Sequence, residues 1–193
     1  MYAAGDDTLA VKSGIDFFGR RYNRPSRDIV FRNITTGGGY GLTIGSEVSG
    51  GVANVTFEDI TVIHQTAGIH IKAPSGRGSF VTNITYRNIH LKNVRQCILL
   101  AVGGGHPENI TGLTHVSNIL FENVRCDVGT TSSYDMTGTN SSFPIQNVRF
   151  VNVTMGTNGT SGVPMKEASC RAINCTCDEL TSPCPSCCKR DVK

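Results

Sequence analysis

Five segments of the chain align with one another without a gap: SRDIVFRNITT (26–36), VANVTFEDITV (52–62), VTNITYRNIHL (81–91), VSNILFENVRC (116–126) and IQNVRFVNVTM (145–155). Each reads Asn or Asp, an aliphatic, any residue, an aromatic, any residue, Asn or Asp, an aliphatic. The aromatic falls at Phe31, Phe57, Tyr86, Phe121 and Phe150, at intervals of 26, 29, 35 and 29. A period of this size means one structural unit stacked on copies of itself. A second strand-like series lies between the first: LAVKS (9–13), LTIGS (42–46), IHIKA (69–73) and ILLAV (98–102).

Each period therefore carries at least two short strands, and no segment has helical periodicity long enough for a βαβ crossover. Successive coils must stack strand on strand, about 4.8 Å apart. Within each repeat the alternation of inward and outward residues breaks at the second Asn or Asp (Asn33, Asp59, Asn88, Asn123, Asn152). A residue that tolerates the left-handed conformation fits there. The expected fold is an all-β, right-handed parallel β-helix over residues 1–160, followed by an irregular Cys-rich tail over 161–193. The Leu-x-x-Leu-x-Leu pattern of leucine-rich repeats is absent.

Composition agrees with this and excludes other classes. Gly is 22 of 193 residues and charged residues are 17%, against about 25% charged in ordinary globular chains, so heptad-based helical bundles are ruled out. Ile, Val, Leu and Phe are too plentiful for a disordered chain. No apolar run reaches the length of about 18 residues that spans a bilayer, so no membrane partner is expected. The formal net charge is +3 with five His counted neutral, a mild basic bias that suits an anionic polymer. Nucleic acid is not expected, because no dense basic stripe is interleaved with stacking aromatics. The densest basic stretch, Arg20, Arg21, Arg24 and Arg27, lies in a loop-like segment.

Eight N-x-S/T sequons begin at Asn33, Asn54, Asn83, Asn109, Asn140, Asn152, Asn158 and Asn174. Several fall inside the repeat, where Asn has a structural reason to be present. Asn140 and Asn158 read as lying in Ser/Thr/Gly-rich loops and are the glycosylation candidates. Six of eight cysteines lie in the tail: Cys170, Cys175, Cys177, Cys184, Cys187 and Cys188. Such a cluster is a set of disulfides or a metal knuckle. The tail holds no His, and its spacings make no two clean zinc pairs, so disulfides are favoured and no metal is expected. Disulfides and sequons together indicate a secreted, extracellular or cell-wall protein. No signal peptide precedes the repeat, which begins in mid-coil. The expectation is an N-terminally truncated part of a longer β-helix.

Gly5-Asp6-Asp7 precedes LAVKS. On a regular strand adjacent carboxylates face opposite ways; a turn or bulge could present both to one groove, although an Asp-rich turn is also a common structural element. On stacked coils Val11, Ile44 and Ile71 share one angular position. Asp6, Asp7, Lys12, Ser46, His70 and Lys72 would then cluster within a few rungs. Two acids beside two lysines and a histidine suit cleavage of an acidic sugar polymer, the acids for chemistry and the cations for its carboxylates.

The order GDD…VKSG, GLTIGSEVSGG and GIHIKAPSGRG, over roughly residues 5–126, resembles the polygalacturonases of glycoside hydrolase family 28, especially their plant-type branch. The resemblance implies a right-handed parallel β-helix and inverting hydrolysis of α-1,4-galacturonan. Asp6 matches the general acid and Asp7 one member of the base pair. The other base normally lies in an Asn-Thr-Asp motif about twenty residues upstream of this position. Lys72 matches the lysine that binds the substrate carboxylate. Two positions depart from the family pattern: Gly-His-Gly is Gly39-Tyr40-Gly41, and Arg-Ile-Lys is His70-Ile71-Lys72. A permanent cation thus becomes a titratable one. The substrate-binding candidates are Lys72, His70, Tyr40 and Arg77.

Of the remaining residues, His106 reads as a loop residue on the groove side, Lys12 as a groove or a solvated lysine, and Cys126 as a core residue rather than a nucleophile. The leading expectation is a monomeric pectin-active glycosidase without a cofactor. The alternative is a non-catalytic carbohydrate-binding β-helix. A lyase would want a calcium-binding acid cluster and an Arg base. Pectin methylesterases place their acids on separate coils.

Overall fold

The computed structural model describes residues 2–3, 5–103, 112–138, 144–158 and 165–191. His106 and the sequons at Asn109 and Asn140 lie outside them, as does the side chain of Asn158. In chain order the elements are β1 (Tyr2–Ala3), β2 (Leu9–Val11), α1 (Asp16–Tyr22), β3 (Ser26–Gly37), β4 (Leu42–Gly45), β5 (Val52–Ile63), β6 (Ala67–Ala73), β7 (Phe80–Lys92), β8 (Val94–Val102), β9 (His115–Thr137), β10 (Ile145–Val151) and β11 (Thr154–Asn158). The tail adds β12 (Ser169–Cys170), β13 (Ala172–Ile173), β14 (Thr176–Cys177) and β15 (Lys189–Arg190). Arg20 and Arg21 belong to α1 rather than to a loop.

Among the described residues all strand pairs are parallel, and the fold is a parallel β-helix. The first repeat series stacks as β3, β5, β7, the first half of β9 and β10, with Phe31, Phe57, Tyr86, Phe121 and Phe150 in one register. Their rings stack at centroid distances of 5.0, 5.0, 5.4 and 4.9 Å. The second series stacks as β2, β4, β6, β8 and the second half of β9, with Val11, Ile44, Ile71, Leu100 and Met136 aligned. Val55, Ile84, Ile119 and Val148, and beside them Ile60, Ile89 and Val124, form aliphatic ladders that are almost wholly buried. Burying each such side chain contributes about 1.5–3 kcal/mol, which is what the repeat supplies to the core.

The long strands bend where the sequence places its second Asn or Asp: Asn33, Asp59, Asn88, Asn123 and Asn152 all have φ of 52–56°. The first Asn or Asp of each repeat does the same, which the alternation did not reveal. Asp28, Asn54, Asn83, Asn118 and Asn147 have φ of 54–58°. Two left-handed corners per repeat give two polar ladders. Asn54 donates to Asp28 at 2.9 Å, Asn83 to Asn54 at 3.1 Å and Asn147 to Asn118 at 2.9 Å. In the other ladder Asn88 donates to Asp59 at 2.9 Å, Asn123 to Asn88 at 3.0 Å and Asn152 to Asn123 at 2.9 Å. The carboxamide supplies both a donor and an acceptor, so a column of Asn satisfies itself from rung to rung.

Coil stacking crosses residue 160. Ser169 pairs with Asp135, Ala172 with Ile145 and Thr176 with Arg149. Asn174 extends the first ladder, with φ of 50° and a 3.1 Å bond to Asn147. The tail cysteines form disulfides Cys170–Cys187, Cys175–Cys188 and Cys177–Cys184. Cys126 is in the core, 1% exposed, but it is bonded there to Cys97 rather than present as a thiol. A ladder position that otherwise holds Thr36, Val62 and Leu91 gave no sign of that partner.

Candidate active site

The site is built where the second strand series begins. Ahead of β2, the turn at Asp6 and Asp7 is tied to the next coils by its backbone and by Thr8. The amide of Tyr40 donates to the Asp6 carbonyl at 3.2 Å, and the Thr8 hydroxyl donates to the Gly38 carbonyl at 2.8 Å. Gln65, buried one coil further on, donates to the Thr8 hydroxyl at 3.0 Å. The Asp7 amide donates to Asp6 Oδ1 at 2.8 Å. This local bond turns the two carboxylates to different surroundings: Asp6 stays exposed, whereas the Asp7 side chain is 7% exposed.

Asp7 is held from two coils. Thr43 on β4 donates to its Oδ1 at 3.1 Å, and Lys72 on β6 places Nζ 2.9 Å from Oδ1 and 2.8 Å from Oδ2. Lys12 lies 4.0 Å from Asp7 Oδ2 and forms a close ion pair with Glu47. That bond and the lysine charge hold the Glu47 carboxyl below its ordinary range. Lys12 is thus a member of the cluster. Ser46 approaches Glu47 at 3.4 Å. Gly45 makes the close stacking possible: its φ is +101°, and a Cβ there would stand 2.0 Å from the Lys72 carbonyl oxygen.

His70 does not become the cation that its sequence position suggested. His70 is 7% exposed, and its Nδ1 is sealed from solvent with no hydrogen-bond partner. Burial, reinforced by the positive charge of Lys72, pushes its pKa down to about 4. The ring is therefore neutral at ordinary pH. Tyr40 stands over this corner, its ring centroid 6.2 Å from that of His70 and 5.8 Å from Lys72 Nζ, within cation–π range.

Arg77 is brought to the rim, where its guanidinium is engaged by the protein. Its Nε donates to the Ser46 carbonyl at 3.0 Å and its Nη1 to Asp16 at the start of α1. Arg20 of α1 in turn donates to the Gly76 carbonyl. Together they clamp the 74–78 turn to α1. Glu47, Thr43, Gln65 and Asp16 were not singled out in the sequence. Glu47 was within reach, because it stands 35 residues after Lys12, close to the 33 separating Val11 from Ile44. Thr43 was within reach as well, because it precedes Ile44 as His70 precedes Ile71; Gln65 carries no such signal.

The arrangement offers one exposed carboxyl, one buried carboxylate fixed by a lysine and a threonine, and an aromatic ring above a neutral histidine. Among the described residues, three sulfurs lie close enough to share a metal ion: Cys170, Cys187 and Cys188. Each is in a disulfide and offers no thiolate.

The chain is 38% identical to a probable polygalacturonase of Vitis vinifera over 109 residues, 55% of this chain and 22% of that protein. It is 25% identical to polygalacturonase-2 of Solanum lycopersicum over 193 residues, 95% of the chain and 38% of the relative. It is 30% identical to an endo-polygalacturonase of Pectobacterium parmentieri over 158 residues, 82% of the chain and 37% of the relative. The chain thus spans between 22% and 38% of the length of these curated relatives. The family profile described as "Glycosyl hydrolases family 28" matches residues 1–184. On that match, together with the parallel β-helix and the carboxylates at the head of its second strand series, the chain belongs to the glycosyl hydrolases of family 28.

Proposed function

We propose that this chain carries part of the active site of an inverting hydrolase of α-1,4-linked galacturonan. The observation that carries this reading is the divergence of two adjacent carboxyl groups. Asp6 is exposed, as a proton donor to a glycosidic oxygen must be. Asp7 is held by Lys72 and Thr43, as suits a carboxylate that polarises water. Inversion needs these two duties on separate groups, with room for water between them. Lys72 has ammonium donors beyond those used by Asp7, and one can receive a uronate carboxylate. The names of the relatives agree with a galacturonan substrate.

The test is reducing-sugar release from polygalacturonate, run beside a binding measurement. In a full-length form, Asp6→Asn is expected to abolish release while leaving oligogalacturonate binding largely intact. A positioned acid contributes about 10²–10⁴ in rate, and an amide cannot give up that proton. Equal turnover by wild type and Asp6→Asn overturns the assignment. Binding without turnover by the wild-type chain favours the second reading, a carbohydrate-binding β-helix. That reading rests on Glu47 and Asp16, the neighbouring acids at this site, each being taken up by a cation.

The protein is further proposed to be secreted and monomeric, with N-glycans at Asn140 and Asn158. The amides of Asn54, Asn83, Asn152 and Asn174 are committed to the ladders, which supports sequons outside the ladders as the acceptors; Asn158 is the last residue of β11 rather than part of a loop. Glycopeptide mapping that finds sugar on ladder asparagines instead would overturn the last point.

A further inference from the structure

Strand alternation divides the second series into inward and outward columns. Leu42 and Ile44, Ile69 and Ile71, Ile98 and Leu100, and Tyr134 and Met136 are buried at 0% exposure. The residues between and beside them face the other way. One outward column reads Ala10, Thr43, His70, Leu99 and Asp135; the next reads Gly45, Lys72, Ala101 and Thr137. Lys12, next after Val11 at the head of the second column, is neutralised by Glu47, which leaves Lys72 as the permanent cation of these columns that faces the later coils. Moving from Lys72 toward the C-terminal coils, the surface passes over His70, Leu99, Ala101 and Thr137 and ends on Asp135, which is bonded to Ser169.

His70 completes the neutral stretch. Its Nδ1 is enclosed without a partner, and leaving a lone pair unpaired costs less than leaving an N–H unpaired. The tautomer that fits carries its proton on Nε2, the nitrogen that retains solvent access. It presents a neutral donor to the face, under the ring of Tyr40. Lys72 and Asp7 are the charged groups that act on it, with opposite effect. Gaining a proton would set a second positive charge beside Lys72 in a buried position, so a carboxylate gains little by docking there.

Resting on the galacturonan reading above, we infer that the position over His70 and Tyr40, next to Lys72, is a subsite for an uncharged sugar unit: a methyl-esterified galacturonosyl residue or a neutral hexose. One carboxylate is taken at Lys72, and its neighbour is read by a hydrogen bond from His70 and by contact with Tyr40.

Isothermal titration of the chain against three oligomers of equal length tests this: unesterified oligogalacturonate, partly methyl-esterified oligogalacturonate and a neutral oligogalactoside. The wild type is expected to bind the partly esterified oligomer at least as tightly as the unesterified one. His70→Arg should shift that ratio by about tenfold toward the unesterified oligomer, the worth of one modest charge contact. His70→Gln, which keeps a neutral donor, should leave it unchanged, and it carries the test if the arginine variant does not fold. Binding of the oligogalactoside assigns the subsite to a neutral hexose; its absence assigns it to the ester. The inference falls if the wild type prefers the unesterified oligomer tenfold, or if His70→Arg folds and leaves the ratio unmoved; in either case the galacturonan reading survives. Failure to bind any uronide removes both.

Discussion

Lys72 Nζ stands 2.8 Å from Asp7 Oδ2, although the two residues are 65 positions apart and two rungs distant along the solenoid. The pair spans β4 and joins the turn before β2 to the outward face of β6. It is the contact on which the shape of the site depends, because the Asp7 side chain is 7% exposed and its other partners are the hydroxyl of Thr43 and, at 4.0 Å, Lys12, which is itself paired with Glu47.

Removing the lysine should therefore cost more than a surface ion pair would. Lys72→Met is expected to lower unfolding stability by about 1.5–3 kcal/mol, the range for hydrogen bonds to a charged group. The double variant Asp7→Asn/Lys72→Met should recover part of that loss. Urea denaturation of the four proteins in the cycle measures the coupling; purely additive losses would show that the pair does not hold the turn.

His70 predicts a pH dependence of stability. Its folded pKa is lowered to about 4 from an ordinary 6.5, mainly by burial and then by the charge of Lys72. The unfolded chain then binds the extra proton first. The contribution of His70 is complete above about pH 6.5 and is lost as pH falls toward 4, by an amount on the order of 3 kcal/mol. The difference in stability between wild type and His70→Gln, followed from pH 7 to pH 4, isolates this group from the carboxylates. A difference that stays flat across that window would contradict it.

Tyr86 stacks between Phe57 and Phe121, and its hydroxyl is buried without a hydrogen-bond partner. Burial raises its phenol pKa strongly. Tyr86→Phe keeps the stack and removes the unsatisfied oxygen. It should stabilise the protein by about 1–3 kcal/mol. A lower melting temperature for the variant would mean that the hydroxyl has a partner.

Asn88 both donates to Asp59 and accepts from Asn123, at a φ of 54°. Asn88→Ala should cost about 2–4 kcal/mol, combining left-handed strain with two lost bonds. Asn88→Gly relieves the strain and should cost about half as much. Equal losses would assign the whole effect to the ladder bonds.

Cys97 and Cys126 are 0% and 1% exposed and join β8 to β9 inside the core. Under mild reductant the tail bridges should open first, and the Cys97–Cys126 pair should react only after denaturant is added. Timed alkylation with peptide mass spectrometry reads the order. The Cys97→Ala/Cys126→Ala variant is expected to lose about 2–4 kcal/mol.

By itself the sequence determined the solenoid and its register. A coil can bury its apolar face only against another coil, so Phe31, Phe57, Tyr86, Phe121 and Phe150 had to align, and the Asn or Asp two places later had to take the corner. The same logic brought Asp7, Lys12 and Lys72 to one face, because Val11, Ile44 and Ile71 fix the angular position of their neighbours. What the tertiary structure decided lies at the rims, where coil length varies and stacking sets no partner. It turned Asp7 inward and left Asp6 exposed, gave Lys12 to Glu47, and closed Arg77 onto Asp16. It also joined Cys126 to Cys97, whose side chain comes from the other strand series and meets it across the core. For His70, identity alone suggested a titratable cation. Burial beside Lys72 makes it neutral, because a charge removed from water and placed next to a like charge loses both its solvation and its partner.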